Sequence, residues 1–302
     1  MSTLLAGFTP LARGVYLEGL AVDAGRGLVW YSDVVAGGIH AVTPAGERHC
    51  SLDSGRRWIG GLLVARGGLL LASGEGGIRW YDPEGGRSGF LVREVEGRSL
   101  GGVNEMAPDG RGGLFFGELD LESVVVGRPT QPVALWHLAA DGALALVAEG
   151  IGFANGLAYD PARRALYCND TFRGVRALVL GDDWRAAAER FFHPKADCDG
   201  LALDEAGHLW VSGFASDHFV RLAPDGAELP AVPVPAGAVS QLRFGQGGTL
   251  YFTAVPEDGG ERLKEGRPLE GERSVLWRAR AAVQGAASAA PDVAAMIREA
   301  LG

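Results

Sequence analysis

Six times along the chain a short apolar segment steps into a turn and is followed by an aromatic or aliphatic run. The first segments read EGLAVD (18–23), IGGLLV (59–64), VNEMAPD (103–109), ANGLAYD (154–160), CDGLALD (198–204) and VSQLRFG (239–245). The runs after the turn read LVWYSD, LLLAS, LFFGE, LYCND, LWVSG and LYFTA. A third segment repeats in the same phase, beginning at Ile39, Ile78, Leu135, Val175, Phe219 and Val275. Apolar alternation closed by Pro, Asp or Gly reads as strand and hairpin turn. None of these segments shows the 3.6-residue period of a helix. A fourth, less regular strand follows in each unit. The apolar anchors Leu20, Leu62, Met106, Leu157, Leu201 and Leu242 are spaced by 42, 44, 51, 44 and 41 residues. A period near forty, repeated six times, is the signature of a solenoid or a propeller. Four strands per unit and six units predict an all-β, six-bladed β-propeller around a central channel, a single domain over 1–302.

Three stretches break the rhythm. Residues 1–16 precede the first repeat, and a ring must close or leave an unpaired edge. The segment STLLAGF is therefore expected to complete the last blade. Residues 117–134 lengthen blade three, and 256–273 lengthen blade six; the second is polar and Gly-rich and reads as a solvated loop or a pocket border. Residues 284–302 change composition, and Pro291 can open a short amphipathic helix that packs on the propeller or mediates contacts.

Repeat phase also points to a site. Two places before each anchor stand Glu18, Gly60, Asn104, Asn155, Asp199 and Ser240. Equivalent positions of six blades converge on one axis, so four oxygen donors, Glu18, Asn104, Asn155 and Asp199, should meet there. Carboxylate and amide oxygens suit calcium, magnesium or manganese better than zinc or copper. Two formal negative charges would leave a divalent ion near neutral, able to polarise a carbonyl or phosphoryl oxygen and to acidify bound water.

Composition narrows the alternatives. The 47 glycines are roughly double the usual share of about 7%, as many tight turns require. The net charge is −9 with no basic stripe, which argues against a nucleic-acid partner. No apolar run approaches the roughly 18 residues of a membrane span. Cys50, Cys168 and Cys198 are scattered without a C-x-x-C, consistent with a reducing cytoplasm and no disulfide framework. Strand alternation points Cys198 away from the channel, as a packing residue. The N-terminus lacks a signal-peptide pattern. No G-x-S-x-G elbow supports a serine hydrolase.

The stretches EGLAVD, VNEMAPDGRGGLFFG, FANGLAYDPARRALYCNDT, CDGLALDEAGHLWVSGF and AVSQLRFG resemble the senescence-marker-protein/gluconolactonase/regucalcin-like family of six-bladed propellers, over roughly residues 14–254. The resemblance implies one axial divalent cation, calcium first, with manganese, magnesium or zinc as alternatives. It implies Glu18, Asn155 and Asp199 as ligands. Asn104 would touch metal-bound water, substrate or the metal itself. It further implies hydrolysis of a lactone, with Asp199 also serving as base or nucleophile. Family members with sugar lactones usually carry Arg-x-Asn-Asp at the third-blade asparagine; here the stretch is Gly102-Val103-Asn104-Glu105. Loss of the arginine implies a less polar substrate. Around the axis, Trp58, Glu105, Met106, Phe153, Phe172, Phe214 and His218 are expected to contact that substrate, with Glu118 and Asp120 within reach of the pocket. His218 could assist proton transfer, although a rim position is the commoner role. The partner implied is a small molecule, with neither nucleic acid nor membrane, acted on by a monomer or small homo-oligomer. The same axial residues could instead serve organophosphate hydrolysis, isomerisation or hydration. A binding propeller with a structural ion is the non-enzymatic alternative.

Overall fold

Each forty-residue repeat folds into an antiparallel meander, and six meanders close into a β-propeller. The computed structural model describes residues 3–301. Blade 1 comprises Leu17–Asp23, Leu28–Asp33, Ile39–Val42 and Arg48–Leu52. Blade 2 comprises Leu62–Val64, Leu70–Ala72, Ile78–Tyr81 and Ser88–Val92. Blade 3 comprises Gly102–Pro108, Leu114–Glu118, Val133–Leu138 and Leu144–Ile151, with Gly74–Glu75 added to its inner edge. Blade 4 comprises Ala154–Asp160, Ala165–Asp170, Gly174–Leu180 and Ala186–Pro194. Blade 5 comprises Cys198–Leu203, Leu209–Gly213, His218–Leu222 and Glu228–Pro233. Blade 6 takes three strands from the end of the chain, Val239–Gly245, Thr249–Ala254 and Ser274–Ala281, and its outer strand, Leu5–Gly14, from the beginning. That pairing runs from Leu5 opposite Ala281 to Gly14 opposite Ser274, so the ring has no gap between its ends.

Apolar side chains fill the spaces between blades. Met106, Phe116 and Trp136 of blade 3 pack on Leu71 and Trp80 of blade 2. Trp210 and Phe219 of blade 5 pack on Phe252 of blade 6. Near the axis the inner strands come closer than side chains allow, and glycine makes the approach possible. A Cβ on Gly156 would stand 2.5 Å from the Asp199 carbonyl oxygen and 2.5 Å from the Leu201 nitrogen.

The two insertions and the tail carry the helices. The first insertion forms α1 (Leu121–Val125), capped by the Asp120 carboxylate on the Ser123 N–H at 3.3 Å. The second forms α2 (Gly259–Lys264). Both rise on the face where the inner strands begin. The tail ends in α3 (Ala294–Leu301), which docks on the opposite face. There Val293 and Ile297 enter the core between blades 2 and 3, and the Arg66 and Asp292 N–H groups bond Pro291 O and Gly112 O at 2.7 Å each. Among the described residues no helix is long and apolar enough to cross a membrane.

Backbone contact at the axis should be intolerant of one methyl group. Gly156→Ala has no flexible atom to displace, and overpacking of this kind costs about 1–3 kcal/mol. Urea unfolding should show that loss, whereas Gly55→Ala, with nothing within 4 Å of the added carbon, should stay near wild type.

Candidate active site

A β-bulge recurs in the inner strands at the positions expected to hold oxygen donors. In blade 1, Leu17 pairs with Asp33 and Leu20 with Tyr31, so Glu18 and Gly19 together face Ser32. Asn104 and Glu105 likewise face Gly117, Asn155 and Gly156 face Asn169, and Asp199 and Gly200 face Ser212. A bulge turns one side chain out of the pleat and strands backbone groups from the ladder. The facing residues recapture those groups. Ser32, Ser73 and Ser212 accept from Gly19, Gly61 and Gly200 N–H at 2.8, 2.7 and 2.7 Å. The same hydroxyls donate into the next blade, to Ile59 O, Asn104 O and Ser240 O at 2.6, 2.6 and 2.9 Å. Asn169 Nδ2 donates to Asp199 O at 2.7 Å. The rivets at Ser73 and Asn169 thereby position Asn104 and Asp199, floor residues of the neighbouring blade.

Above the bulges lies a cavity of about 600 Å³. Its floor holds Glu18, Asn104, Asn155 and Asp199 from blades 1, 3, 4 and 5. Its walls are Tyr16, Val34, Trp58, Phe153, Phe172 and Phe214, and the insertions contribute Leu119, Val124 and Leu263. The remaining residues of the same repeat phase differ. Gly60 has no side chain and leaves the space that the Asn104 carboxamide fills. Ser240 donates to Leu17 O at 2.7 Å, as a structural tie between blades 6 and 1.

The floor concentrates carboxyl groups without a cationic partner. Among the described residues neither Glu18 nor Asp199 forms an ion pair. Burial, then the neighbouring Glu105, pushes Glu18 from an ordinary 4.5 up to about 8. Burial, then Glu18 and Glu105, pushes Asp199 well above the usual carboxylate range. Burial, then Asp199 and Glu18, holds the Tyr16 phenol far above its ordinary value, so it stays protonated. The two asparagines are oriented internally. Asn104 Nδ2 donates to Ala154 O at 3.0 Å and to Asn155 Oδ1 at 3.1 Å. Asn155 Nδ2 donates to Thr171 Oγ1 at 3.3 Å. Two carboxyl groups without a cationic partner, beside the amide oxygens of Asn104 and Asn155, make a hard-oxygen set, which fits a divalent cation of the calcium or magnesium type. Among the described residues no group of three His, Cys, Asp or Glu gathers for a metal, so the fit depends on the asparagines.

The structure brings together Glu18, Asn104, Asn155, Asp199, Trp58, Phe153, Phe172 and Phe214. It does not bring in Glu105, Met106, Glu118 or His218. Glu105 lies beneath the floor, where its carboxylate meets Gln241 Nε2 and Arg243 Nη2, the latter at 2.9 Å, across the axis in blade 6. Gly61 and Gly200 leave room for this crossbar, since a Cβ on either would lie 2.5 Å from Glu105 Oε1 or Gln241 Oε1. Met106 is in the core between blades 2 and 3, on the far side of the bulge. Glu118 accepts from Trp136 Nε1 at 2.6 Å and pairs with Arg98 at 2.7 Å, which ties down its carboxylate away from the cavity. Asp120 is spent on capping α1 and on the Gln131 N–H at 2.8 Å. His218 sits half-buried at a strand start, bonded to Asp217 at 2.8 Å. Cys198 is buried between blades 4 and 5, with its thiol pushed up by burial.

Sequence reading missed Tyr16, Thr171 and the rivets. The rivets were detectable, because Ser32, Ser73, Asn169, Ser212 and Thr253 occupy one phase of the repeat. Tyr16 and Thr171 lie in connections that carry no periodic signal. Gly102 has a local explanation. A Cβ there would stand 3.2 Å from Leu121 Cβ and 3.6 Å from Leu119 Cβ, so the first insertion covers the direction a longer side chain would take.

Residues 17–255 match the model of the SMP-30/Gluconolactonase/LRE-like region. The pentonolactonase of Haloferax volcanii is 28% identical over 287 residues, covering 89% of this chain and 94% of that one. The 6-deoxy-6-sulfogluconolactonase of Pseudomonas putida is 25% identical, covering 81% and 84%. A solved gluconolactonase from Xanthomonas campestris superposes with a TM-score of 0.74 at 22% identity, covering 91% of this chain and 89% of that one.

The acidic floor predicts a pH signature. Between pH 4.5 and 8 the folded, cation-free protein keeps a proton on Glu18 that the unfolded chain has released. The native state then binds more protons, so stability should fall as pH rises through that window, by up to about 1.4 kcal/mol per pH unit for this one proton. Asp199 acts in the same direction. Urea unfolding in chelator should show the slope, and Glu18→Gln or saturating calcium should flatten it.

Proposed function

The chain belongs to the SMP-30/Gluconolactonase/LRE-like family, and from that premise we propose that it is a divalent-cation-dependent hydrolase that opens a lactone less polar than a sugar lactone. The observation that carries the proposal is the pairing of an unneutralised carboxylate–carboxamide floor with predominantly apolar walls. The relatives named as a pentonolactonase and a sulfogluconolactonase support ring-opening hydrolysis. Leu119 and Leu121, packed where a side chain at position 102 would begin, support a less polar substrate.

A bound divalent cation, calcium in the first instance, would let both floor carboxylates ionise and would polarise the ester carbonyl. Glu18, Asn155 and Asp199 would hold it, with Asn104 beside them. Asp199 takes the proton of the attacking water and delivers it to the ring oxygen as the ester C–O bond breaks. The product is the open hydroxy acid. Asn104, locked by its bonds to Ala154 and Asn155, orients the water or the substrate. Asn155 is held in turn by Thr171, which donates to Cys198 O at 2.7 Å and so couples the asparagine to the strand bearing Asp199. The aromatic walls exclude bulk water from the acyl centre and strengthen each polar contact on the floor.

Metal-stripped protein should be inactive on a panel from gluconolactone to apolar γ- and δ-lactones. Titration with calcium, manganese, magnesium or zinc should restore turnover, with the apolar lactones preferred. Asp199→Asn should lower kcat by about 10²–10⁴-fold while the protein remains folded by circular dichroism. Stoichiometric cation binding without turnover of any lactone would overturn the reading, and turnover of phosphotriesters instead would move the chemistry to phosphorus.

A further inference from the structure

Two aromatic side chains of the cavity stand on backbone that such residues rarely adopt. Trp58 has φ +58° and Phe172 has φ +73°. A bulky residue in the left-handed region is strained, and strain of this kind persists where the surroundings over-determine it, often at ligand clamps. Trp58 is held by its N–H on Val34 O at 3.0 Å, and Phe172 by its N–H on Ala196 O at 2.8 Å. They enter from the blade 1–2 connection and from blade 4, on opposite halves of the ring. Phe172 meets Phe153 and Phe214 edge-on, with centroids 6.2 and 6.0 Å away, yet remains 49% exposed. The fold thus maintains a strained, open aromatic surface at the cavity mouth.

The charges around that mouth are unevenly paired. Arg128 bonds Glu122 at 2.7 Å, Arg173 bonds Asp170 at 3.3 Å, and Glu265 pairs with Arg267. Lys264, the last residue of α2, has no carboxylate partner among the described residues; its ammonium stands 5.3 Å from the Phe172 ring centre. It is one of two lysines in the chain, and the other, Lys195, pairs with Asp197 at 2.9 Å. The cavity therefore has carboxyl groups on its floor and, at its mouth, a cation that lies over an exposed aromatic ring without a carboxylate partner among the described residues. An anionic group on the substrate is attracted to Lys264 at the mouth, so the field there would orient the substrate with its uncharged lactone inward.

We propose that the substrate is a lactone whose planar, unsaturated body lies against Phe172 and ends in an anionic group, such as a carboxylate, bound by Lys264. This rests on the lactone reading of the same site. The test compares a γ-aryl-γ-butyrolactone bearing a para-carboxylate with its para-carboxamide isostere, in the calcium-loaded wild type and in Lys264→Met and Lys264→Arg. The readout is the carboxylate-to-carboxamide ratio of kcat/KM within each protein, so a general change in activity cancels. The wild type should favour the carboxylate by about tenfold, the scale of one charge-assisted contact. Lys264→Met should bring the ratio to about one, Lys264→Arg should keep it, and high salt should erode it. A wild-type ratio of one, or a preference that survives Lys264→Met, would overturn the proposal. If neither compound is hydrolysed, the lactone reading fails by itself. Calorimetric binding of the same pair then decides the anion site: a carboxylate preference abolished by Lys264→Met upholds it, and equal binding overturns it.

Discussion

The structure depends on how closely six inner strands approach one axis. At that radius there is no room for side chains between neighbouring backbones, and glycine occupies the contacts at 19, 61, 156 and 200. In blades 1, 4 and 5 a bulge at the glycine turns one residue toward the axis, and blade 3 has the same bulge at Asn104 and Glu105. The backbone groups it displaces are buried and need partners. Hydroxyls of Ser32, Ser73 and Ser212 accept from the inner-strand N–H groups and bind the next blade in the same stroke, while the Asn169 amide donates into the next blade alone. Floor geometry and ring stability are therefore one network. A change at Ser73 or Asn169 would move a floor residue of the adjacent blade, Asn104 or Asp199.

Close packing also sets the electrostatics. Glu18 and Asp199 approach each other because their strands do, and burial then disfavours their charge. Beneath them the crossbar of Glu105, Gln241 and Arg243 joins blades 3 and 6 through the channel. These opposite blades carry side chains where four others carry glycine, and the two side chains meet at the centre. The crossbar satisfies Glu105 with a cation and leaves the floor acids above it without one. A site of this kind is poised for an added positive charge.

The insertions decide what stands above the floor. One brings Leu119 and Val124, the other Leu263 and Lys264. They border the channel mouth with apolar walls and with Lys264, which has no carboxylate partner among the described residues. The first insertion also covers Gly102, where Leu121 and Leu119 stand in the direction a longer side chain would take.

Much of this was legible in the chain. A forty-residue period encodes the blade count, and equal phase encodes convergence, because repeats related by rotation must place equivalent residues about one axis. That is why Glu18, Asn104, Asn155 and Asp199 could be named from sequence. Phase was uninformative about direction wherever the bulge altered the pleat. Simple alternation could not tell that Glu105 descends to a crossbar while Asn104 faces the cavity, or that Met106 returns to the core. Glu118 and His218 were misjudged because proximity in sequence to an axial strand says nothing about which partner captures a side chain. Trp136 with Arg98 captured the first, and Asp217 the second. The aperiodic connections were silent for the same reason. Sequence by itself determined the repeat, the ring and the convergence of four oxygen donors. Only the tertiary structure decided which side chains face the cavity, because that choice is made by bulges and by partners from distant blades.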